Sequence, residues 1–382
     1  MTADAGLGPG PWGVYLHVPW CTRRCPYCSF YVEVDRGPDH ADFVRSCTIE
    51  LDLQRPQFAE LGPPHTVSFG GGTPSRLPAE HLKALLDHIQ PRADAEISLE
   101  ANPEDLDPAT LHRLLTAGVN RLSIGLQTFQ AQHARLLNRA STVQQASQSL
   151  RDVAAAGFSS WSVDLIFGLP GQTLDDLNAD LDAIEAAQPP HVSLYGLTFE
   201  PGTPFDRARQ KGALTPLDDD TWRDLADRID ERLGQMGLHR YEVSNFAKPG
   251  HESRHNELYW TDRPYLGIGP SAHSYGPAGH RWQAPADLAQ WKGAAGTVQR
   301  DQPTHEQAAT DLLISTLRGR QGVPLARLQR RTGLTVSNTV IAPLLGAALI
   351  ESDGHYLSLT ARGIAVTDGV IEQLVRGLQP AE

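Results

Sequence analysis

The sequence lacks any hydrophobic run long enough to cross a membrane. Its longest apolar stretch, "VIAPLLGAALI", is interrupted by Pro343 and falls well short of the roughly 20 residues that a spanning helix needs. The residues before Arg23 contain no Lys or Arg and no apolar core of a signal peptide. We therefore expect a cytoplasmic protein without a transmembrane segment.

Basic residues are also scarce. The chain has 33 Lys and Arg against 45 Asp and Glu, a formal net charge of -12. A broad surface for nucleic acid needs the opposite balance, although a local basic patch is compatible with this total. We expect no nucleic-acid partner.

Cysteine is rarer still, with 4 residues in 382, and three of them stand together. Cys21, Cys25 and Cys28 form the pattern C-x3-C-x2-C. Disulfides rarely persist in a reducing compartment, so the cluster indicates a metal-binding or catalytic site. Cys47 lies apart in "DFVRSCTIELDLQ", which is typical of a helix, and we interpret it as a small buried hydrophobic residue.

What the sequence does contain is a repeated alternation of strands and helices. Six β-rich runs, from "GVYLHVP" to "HVSLYGL", alternate with amphipathic stretches. This predicts an α/β fold with a parallel sheet, either an open doubly wound sheet or a barrel. Polar or Gly-rich residues follow five of the runs, which favours a full or partial barrel with its chemistry at the strand ends. They are "GGGT" at 70–73, Glu100, Gln127, Asp164 and Thr198.

The rest of the chain divides into two parts. An amphipathic helix in "DDDTWRDLADRIDERLGQMG" ends the predicted barrel, residues 1–238. Residues 239–300 are rich in aromatics and His with little periodicity, which indicates a functional loop or a surface excursion. Residues 301–382 predict three helices and a short hairpin, a winged-helix-like domain. We interpret its basic cluster, Arg327, Arg330 and Arg331, as a solvated helix face.

Three thiols are an unusual ligand number. A zinc site wants four tetrahedral ligands and no second cysteine pair exists, although His17 could complete one. A [4Fe–4S] cluster normally takes four thiolates, so three would leave one iron free to bind another molecule. Both alternatives stay open on the cysteines alone.

Further motifs resemble a known family. C-x3-C-x2-C after a first strand, with "GGGTPS" after the second, resembles the radical S-adenosylmethionine (SAM) superfamily, which implies a partial (β/α)6 barrel. In that superfamily SAM chelates the fourth iron of a [4Fe–4S] cluster and can be cleaved to a radical. "YLHVPWCTRRCPYCSF", "ISLEANPE", "RLSIGLQTF" and "VDLIFGLPGQT" resemble the HemN/HemW subfamily of oxygen-independent coproporphyrinogen III oxidases and heme chaperones.

The resemblance implies a set of site residues. It assigns Cys21, Cys25 and Cys28 to the cluster. The implied cofactor-binding residues are Tyr15, Tyr27, Gly71, Gly72, Thr73, Glu100, Gln127, Arg139, Asp164 and Thr198. Glycines let a ligand approach the backbone closely, and a carboxylate suits the amino group or the ribose hydroxyls of SAM. Arg139, taken alone in "LNRA", would be a solvated helix end.

Two features bear on the choice between oxidase and chaperone. In the oxidases that this chain resembles, the cysteine pattern is C-x3-C-x2-C-x-C. This chain has Phe30 in place of the last cysteine. "HNELYW", beginning at His255, matches the HNxxYW motif of the HemW branch, and His255 could be an axial heme ligand. The alternative interpretation is that His255 and Asn256 hold a loop by hydrogen bonds while Tyr259 and Trp260 anchor the core.

The resemblance therefore implies a heme chaperone with a SAM-liganded [4Fe–4S] cluster. Heme would be delivered to apo-hemoproteins, including respiratory ones at the membrane. The alternative is a radical SAM oxidase that decarboxylates two propionates of coproporphyrinogen III. A third hypothesis is a cluster-dependent regulator that binds DNA through its C-terminal domain, against which the acidic balance argues.

Overall fold

The computed structural model describes residues 10–293 and 296–381. Its strands are β1 (Gly13–Val18), β2 (Trp20–Cys21), β3 (Glu33–Val34), β4 (Thr66–Gly71), β5 (Glu96–Ala101), β6 (Arg121–Gln127), β7 (Ser160–Phe167), β8 (His191–Gly196), β9 (His239–Arg240), β10 (Asn245–Ala247), β11 (Tyr265–Ile268), β12 (His273–Tyr275), β13 (Arg281–Gln283), β14 (Gln299–Asp301), β15 (Val323–Pro324), β16 (Leu334–Val336), β17 (Ile350–Ser352), β18 (Tyr356–Leu359) and β19 (Leu378–Pro380).

The helices alternate with the first strands and dominate the end of the chain. They are α1 (His40–Gln54), α2 (Ala79–Ile89), α3 (Pro108–Ala117), α4 (Ala131–Leu136), α5 (Val143–Ala156), α6 (Leu174–Ala187), α7 (Pro204–Gln210), α8 (Asp219–Gln235), α9 (Arg254–Trp260), α10 (Leu288–Gly293), α11 (His305–Thr316), α12 (Leu325–Thr332), α13 (Asn338–Gly346), α14 (Ala361–Ile364) and α15 (Thr367–Arg376). None of the described helices is long and apolar enough to cross a membrane.

The central sheet confirms the predicted α/β architecture. Strands β1, β4, β5, β6, β7 and β8 are neighbours in chain order and pair in parallel. The sheet has two ends, at β14 and β9, so it is a partial barrel. Strand β7 shows why it forms, because every residue of "SWSVDLIF" except Asp164 is buried. Such a run suits a parallel strand covered on both faces, and Asp164 marks the point where one face opens.

Local sequence signals define the ends of the surrounding helices. Thr142 and Thr173 begin α5 and α6 with capping boxes, in which each hydroxyl accepts a backbone N–H bond of the first turn. Helix α1 carries Cys47, which is buried as predicted. Helix α8 confirms the predicted amphipathic helix and buries its apolar face in the main core.

The described part of residues 239–300 contributes strands to the central sheet, so the expectation of a loop or surface excursion is wrong for those strands. Strands β9 and β10 extend the sheet beyond β8 in antiparallel fashion. At the opposite edge β11 pairs in parallel with β1, and β12, β13 and β14 follow in antiparallel order. Phe246, Leu266 and Trp282 belong to the same hydrophobic core as the barrel strands. The segment therefore extends the partial barrel at both of its edges.

The C-terminal residues build a second hydrophobic core. Helices α11, α12 and α13 precede the β17–β18 hairpin, in agreement with the predicted order of three helices and a hairpin. Leu312, Leu328 and Leu357 are among its fully buried side chains. Helix α15 packs onto this core through Leu374.

The basic cluster of this domain corrects another expectation. Arg327 and Arg331 form ion pairs with Asp262, at 2.9 Å and 2.7 Å, and all three side chains are largely buried. Tyr275 also donates a hydrogen bond to Asp262, at 2.7 Å. Arg330 alone is exposed. Two of the three arginines thus fasten the C-terminal domain to the barrel, and the solvated-face interpretation is wrong for them.

Candidate functional site

A cavity of about 490 Å³ opens where the parallel strands end. Its walls come from the last residues of β4 to β8 and from the loop that carries the three cysteines. Twelve of the predicted site residues line it: Cys21, Cys25, Tyr27, Cys28, Gly71, Gly72, Thr73, Glu100, Gln127, Arg139, Asp164 and Thr198. Tyr15 and His255 are not among the lining residues. We call this end of the barrel the mouth.

The cysteine loop is held in place by backbone contacts. Strand β2, which ends at Cys21, pairs with β3 on the far side of the loop. The Cys28 N–H donates to the Cys25 carbonyl at 3.2 Å, which closes a tight turn between those two ligand candidates. The Phe205 N–H donates to the Pro26 carbonyl at 3.1 Å, and Asn138 Nδ2 donates to the Arg24 carbonyl at 3.3 Å. The thiols are therefore presented from an ordered loop, half-buried against the cavity.

Two of the sulfur atoms receive hydrogen bonds from the barrel. Thr73 Oγ1 donates to Cys21 Sγ at 3.5 Å, and Arg139 Nη1 donates to Cys25 Sγ at 3.7 Å. Burial raises the pKa of the Cys21 thiol, while the Thr73 bond opposes that rise. Donors of this kind favour the thiolate form that binds metal.

A residue absent from the predicted set links these donors. Arg139 Nη2 donates to Asn102 Oδ1 at 2.7 Å, and Asn102 Nδ2 donates to Thr73 Oγ1 at 3.1 Å. Asn102 follows directly after β5, so its position after a strand, in "EANPE", was the available signal. Arg139 is thereby a cavity residue and not the solvated helix end that its local sequence indicates.

Two carboxyl groups lie deeper in the cavity. Glu100 Oε2 accepts a hydrogen bond from the Gly71 N–H at 3.2 Å, and Asp164 accepts bonds from Ser123 and Ser162 at 2.7 Å and 3.0 Å. Glu100 is open to the cavity but surrounded by barrel walls. This desolvation, helped by the nearby Asp164, raises the pKa of Glu100 to about 7. Burial also raises the pKa of Asp164. The pair suits a cationic or hydroxyl-bearing ligand.

The glycines after β4 are required by close packing. Gly71 has a φ of +105°, and a Cβ at this position would lie 2.6 Å from the His17 ring. A Cβ on Gly72 would lie 2.7 Å from the carbonyl carbon of Pro19. Glycine is therefore needed where β4 meets β1 and the start of the cysteine loop, independently of any ligand.

His255 lies toward the opposite end of the barrel, whereas Tyr15 lies between the two ends, with its side chain against Gly70 and near Glu100. The Tyr15 hydroxyl is 3.3 Å from His17 Nδ1, and its ring lies 6.4 Å from the His255 ring. His255 is 1% exposed. Its Nδ1 forms a hydrogen bond with Thr66 Oγ1 at 2.7 Å and its Nε2 with the Tyr259 hydroxyl at 2.9 Å. The structure thus gives His255 the contacts of the alternative interpretation, and heme ligation by His255 stays a prediction.

His255 belongs to a larger set of contacts, which we call the floor. The floor consists of residues 241–260 and the polar first residues of five parallel strands, Thr66, Glu96, Arg121, Ser160 and His191. Glu96 accepts from the His255 N–H at 2.9 Å, and Arg121 donates to the His251 carbonyl at 2.9 Å. The sequence carried a signal for this layer, since each of these strands begins with a polar residue.

Comparison with known proteins identifies the family of the chain and agrees with its fold. The Radical SAM superfamily model matches residues 15–184, and the HemN C-terminal domain model matches residues 304–366. The heme chaperone HemW of Mycobacterium tuberculosis H37Rv is 36% identical over 97% of both chains. HemW of Escherichia coli K12 is 37% identical over 69% of this chain and 70% of its own. The structure of coproporphyrinogen III oxidase (HemN) from E. coli covers 97% of this chain and 92% of its own, with a TM-score of 0.80 and 23% identity.

Proposed function

The chain belongs to the radical SAM superfamily and, within it, to the HemN/HemW subfamily, and we propose that it is a heme chaperone. It binds a [4Fe–4S] cluster with SAM as the ligand of the fourth iron, and it carries heme to apo-hemoproteins in the cytoplasm, including respiratory ones at the membrane. The observation that carries the proposal is that three cysteines, and no fourth, line the mouth cavity among the described residues.

The donor set supports a cluster. A mononuclear zinc site needs four ligands that converge on one ion. A cube of four irons instead takes one thiolate at each of separate corners. Cys21, Cys25 and Cys28 around a shared cavity fit the second arrangement.

The remaining walls support SAM. Arg139 Nε and Glu104 Oε2 are buried polar atoms without a hydrogen-bond partner in the described structure, and both residues line the cavity. Buried polar atoms are rarely left unpaired, so they favour a polar ligand there. Glu100 and Asp164 would hold the ammonium and hydroxyl groups of SAM. When bound, the cluster and SAM supply one-electron chemistry, while Thr73 and Arg139 hold the cysteine loop through its sulfurs.

Phe30 separates the chaperone from the oxidase. Phe30 lines the cavity and stands at the sequence position where the oxidases that this chain resembles have a cysteine. A benzyl side chain neither binds iron nor transfers protons. The relatives at more than 30% identity over most of the chain include proteins named heme chaperone HemW. Both observations support the heme-carrying activity.

The test uses one anaerobically reconstituted preparation of the full chain. We expect it to bind heme and to restore an apo-hemoprotein, measured by the recipient's absorbance spectrum. With coproporphyrinogen III and SAM we expect no protoporphyrinogen IX. Formation of that product, or failure to bind heme at all, would contradict the proposal.

A further inference from the structure

We propose that heme docks on the rim of the mouth cavity, with its macrocycle against Phe30 and its propionates on Arg23 and Arg24. The inference rests on the proposed heme chaperone function and names where the cargo sits. It also separates heme binding from His255, which the motif had suggested as the ligand.

Phe30 provides an exposed aromatic surface at the cavity. Its side chain is 63% exposed, the highest value among the exposed large hydrophobic side chains of the described structure. Val32 lines the same cavity, and Val34 on β3 is 46% exposed. An aromatic ring beside aliphatic side chains is the surface that a flat apolar macrocycle can cover. Phe30 occurs within the ordered cysteine loop, so this surface is held next to the cluster site.

Arg23 and Arg24 provide matching charge. Both side chains are exposed, Arg23 lines the cavity, and neither forms an ion pair or a side-chain hydrogen bond with any described residue. Their two guanidinium groups are therefore available to a ligand beside the cavity. Heme carries two propionates on one edge, and guanidinium groups bind carboxylates with paired N–H donors. The charge complementarity favours heme over an uncharged apolar ligand.

The floor offers no comparable surface. His255 is fully enclosed and uses both ring nitrogens in hydrogen bonds, so heme could reach it only if residues 241–260 left the barrel. At the mouth, the cavity lining contains no His or Met from the described part of the chain. With Cys21, Cys25 and Cys28 assigned to the cluster, the rim would hold heme by one face and its propionates, leaving the axial position on the other face for a ligand from the recipient. Such a hold suits a carrier that must release its cargo.

The variants that test this are Phe30→Ala and the double variant Arg23→Ala/Arg24→Ala, both in cluster-reconstituted full chain. Leu53→Ala is the apolar control, because Leu53 is 55% exposed on α1 outside the cavity. Arg330→Ala is the basic control, on the exposed face of α12. Heme affinity is measured by absorbance titration, SAM affinity by equilibrium dialysis, and cluster content by iron and sulfide analysis.

We expect each rim variant to weaken heme binding about tenfold or more, with SAM affinity and iron content unchanged. The controls and a folded His255→Ala variant should stay within about twofold of wild type. Raised salt should weaken heme binding by wild type more than by Arg23→Ala/Arg24→Ala. Heme dimethyl ester, which lacks the propionate charges, should bind those two proteins equally.

Different failures lead to different conclusions. If wild type binds no heme, the chaperone function itself is wrong. If wild type binds heme and the rim variants match it, or if His255→Ala alone loses heme while its circular dichroism is native, the rim site is wrong. A loss of SAM affinity in Phe30→Ala would assign Phe30 to SAM and likewise overturn the inference.

Discussion

The two ends of the barrel differ in whether another segment of the chain covers their polar side chains. Both ends are built from polar residues at the termini of the same parallel strands. At the floor, residues 241–260 cover these side chains and His255 is hydrogen-bonded through both ring nitrogens, although buried atoms of Arg121, Asn245 and Trp260 have no partner among the described residues. At the mouth nothing covers them, and buried atoms of Arg139 and Glu104 have no partner among the described residues. Unpaired polar atoms thus occur at both ends, and what distinguishes the mouth is the open cavity that its polar side chains line.

The same physical cause shifts pKa values at both ends. Burial lowers the pKa of His255 to about 3 and, with Asp164, raises the pKa of Glu100 to about 7. Desolvation disfavours the charged form in each case. At the floor the neutral imidazole is already satisfied by Thr66 and Tyr259, whereas at the mouth a bound cation would restore the charge of Glu100.

The largest effect should come from Cys25→Ser. Removing one of three thiolates leaves the cluster with too few ligands, so we expect iron and sulfide content to fall to background after reconstitution. Cys47→Ala is the matched control, because Cys47 is buried in α1 away from the cavity. Full cluster content in Cys25→Ser, or its loss in Cys47→Ala, would place the cluster elsewhere.

His255→Ala should remove hydrogen bonds of the floor and leave the residues of the mouth unchanged. The change opens a cavity and removes the partners of Thr66 and Tyr259, which costs about 2–4 kcal/mol in the free energy of unfolding. Urea denaturation measures this loss. His355→Ala, at an exposed position in the C-terminal domain, should change stability by less than about 0.5 kcal/mol. Equal effects of the two changes would show that the floor contacts contribute little.

The pH dependence of stability should sharpen the contrast. His255 has a folded pKa of about 3 against 6.5 for the unfolded chain, so the unfolded state binds a proton that the folded state does not. Stability therefore falls as pH drops from about 6.5 toward 3. His255→Gln should lose less stability than wild type over this window. Parallel pH profiles for the two proteins, measured by thermal denaturation, would argue against a buried neutral imidazole.

At the mouth, Glu100→Gln should change the pH dependence of stability in the opposite direction. The folded pKa of Glu100 is about 7 against 4.5 unfolded, so the protein loses stability as pH rises through this range. In SAM-free, cluster-loaded protein, Glu100→Gln should raise the melting temperature slightly at pH 8 and have no effect below pH 4.5. The same variant should bind SAM more weakly. A destabilised variant with normal SAM affinity would make Glu100 a structural residue.

Much of the fold could be predicted from the sequence because the signals for it lie in neighbouring residues. The alternation of strands and helices predicts the parallel sheet, and strand periodicity needs only neighbouring residues to read. The residues after the strands converge on one cavity because parallel strands end at the same edge. The cysteine spacing and "GGGTPS" indicate the cluster loop because each motif is a short run of neighbouring residues.

Contacts between distant segments could not be read in this way. Residues 239–300 show little periodicity because their described part forms short strands that extend both edges of the sheet and a segment that covers the floor. Their arrangement therefore depends on contacts with distant parts of the chain. Arg327 and Arg331 look like a solvated basic face until Asp262, more than 60 residues earlier, is placed beside them. Asn102 likewise becomes a site residue only through Arg139 and Thr73.

The sequence alone thus determined the barrel, the three-cysteine loop and the kinship to radical SAM proteins, because each depends on residues close in the chain. Only the tertiary structure decided which polar residues are satisfied. His255 and Glu100 both stand in motifs and both belong to the barrel. The first is enclosed by its partners at the floor and the second faces an open cavity, because a covering segment reaches one end of the strands and leaves the other free.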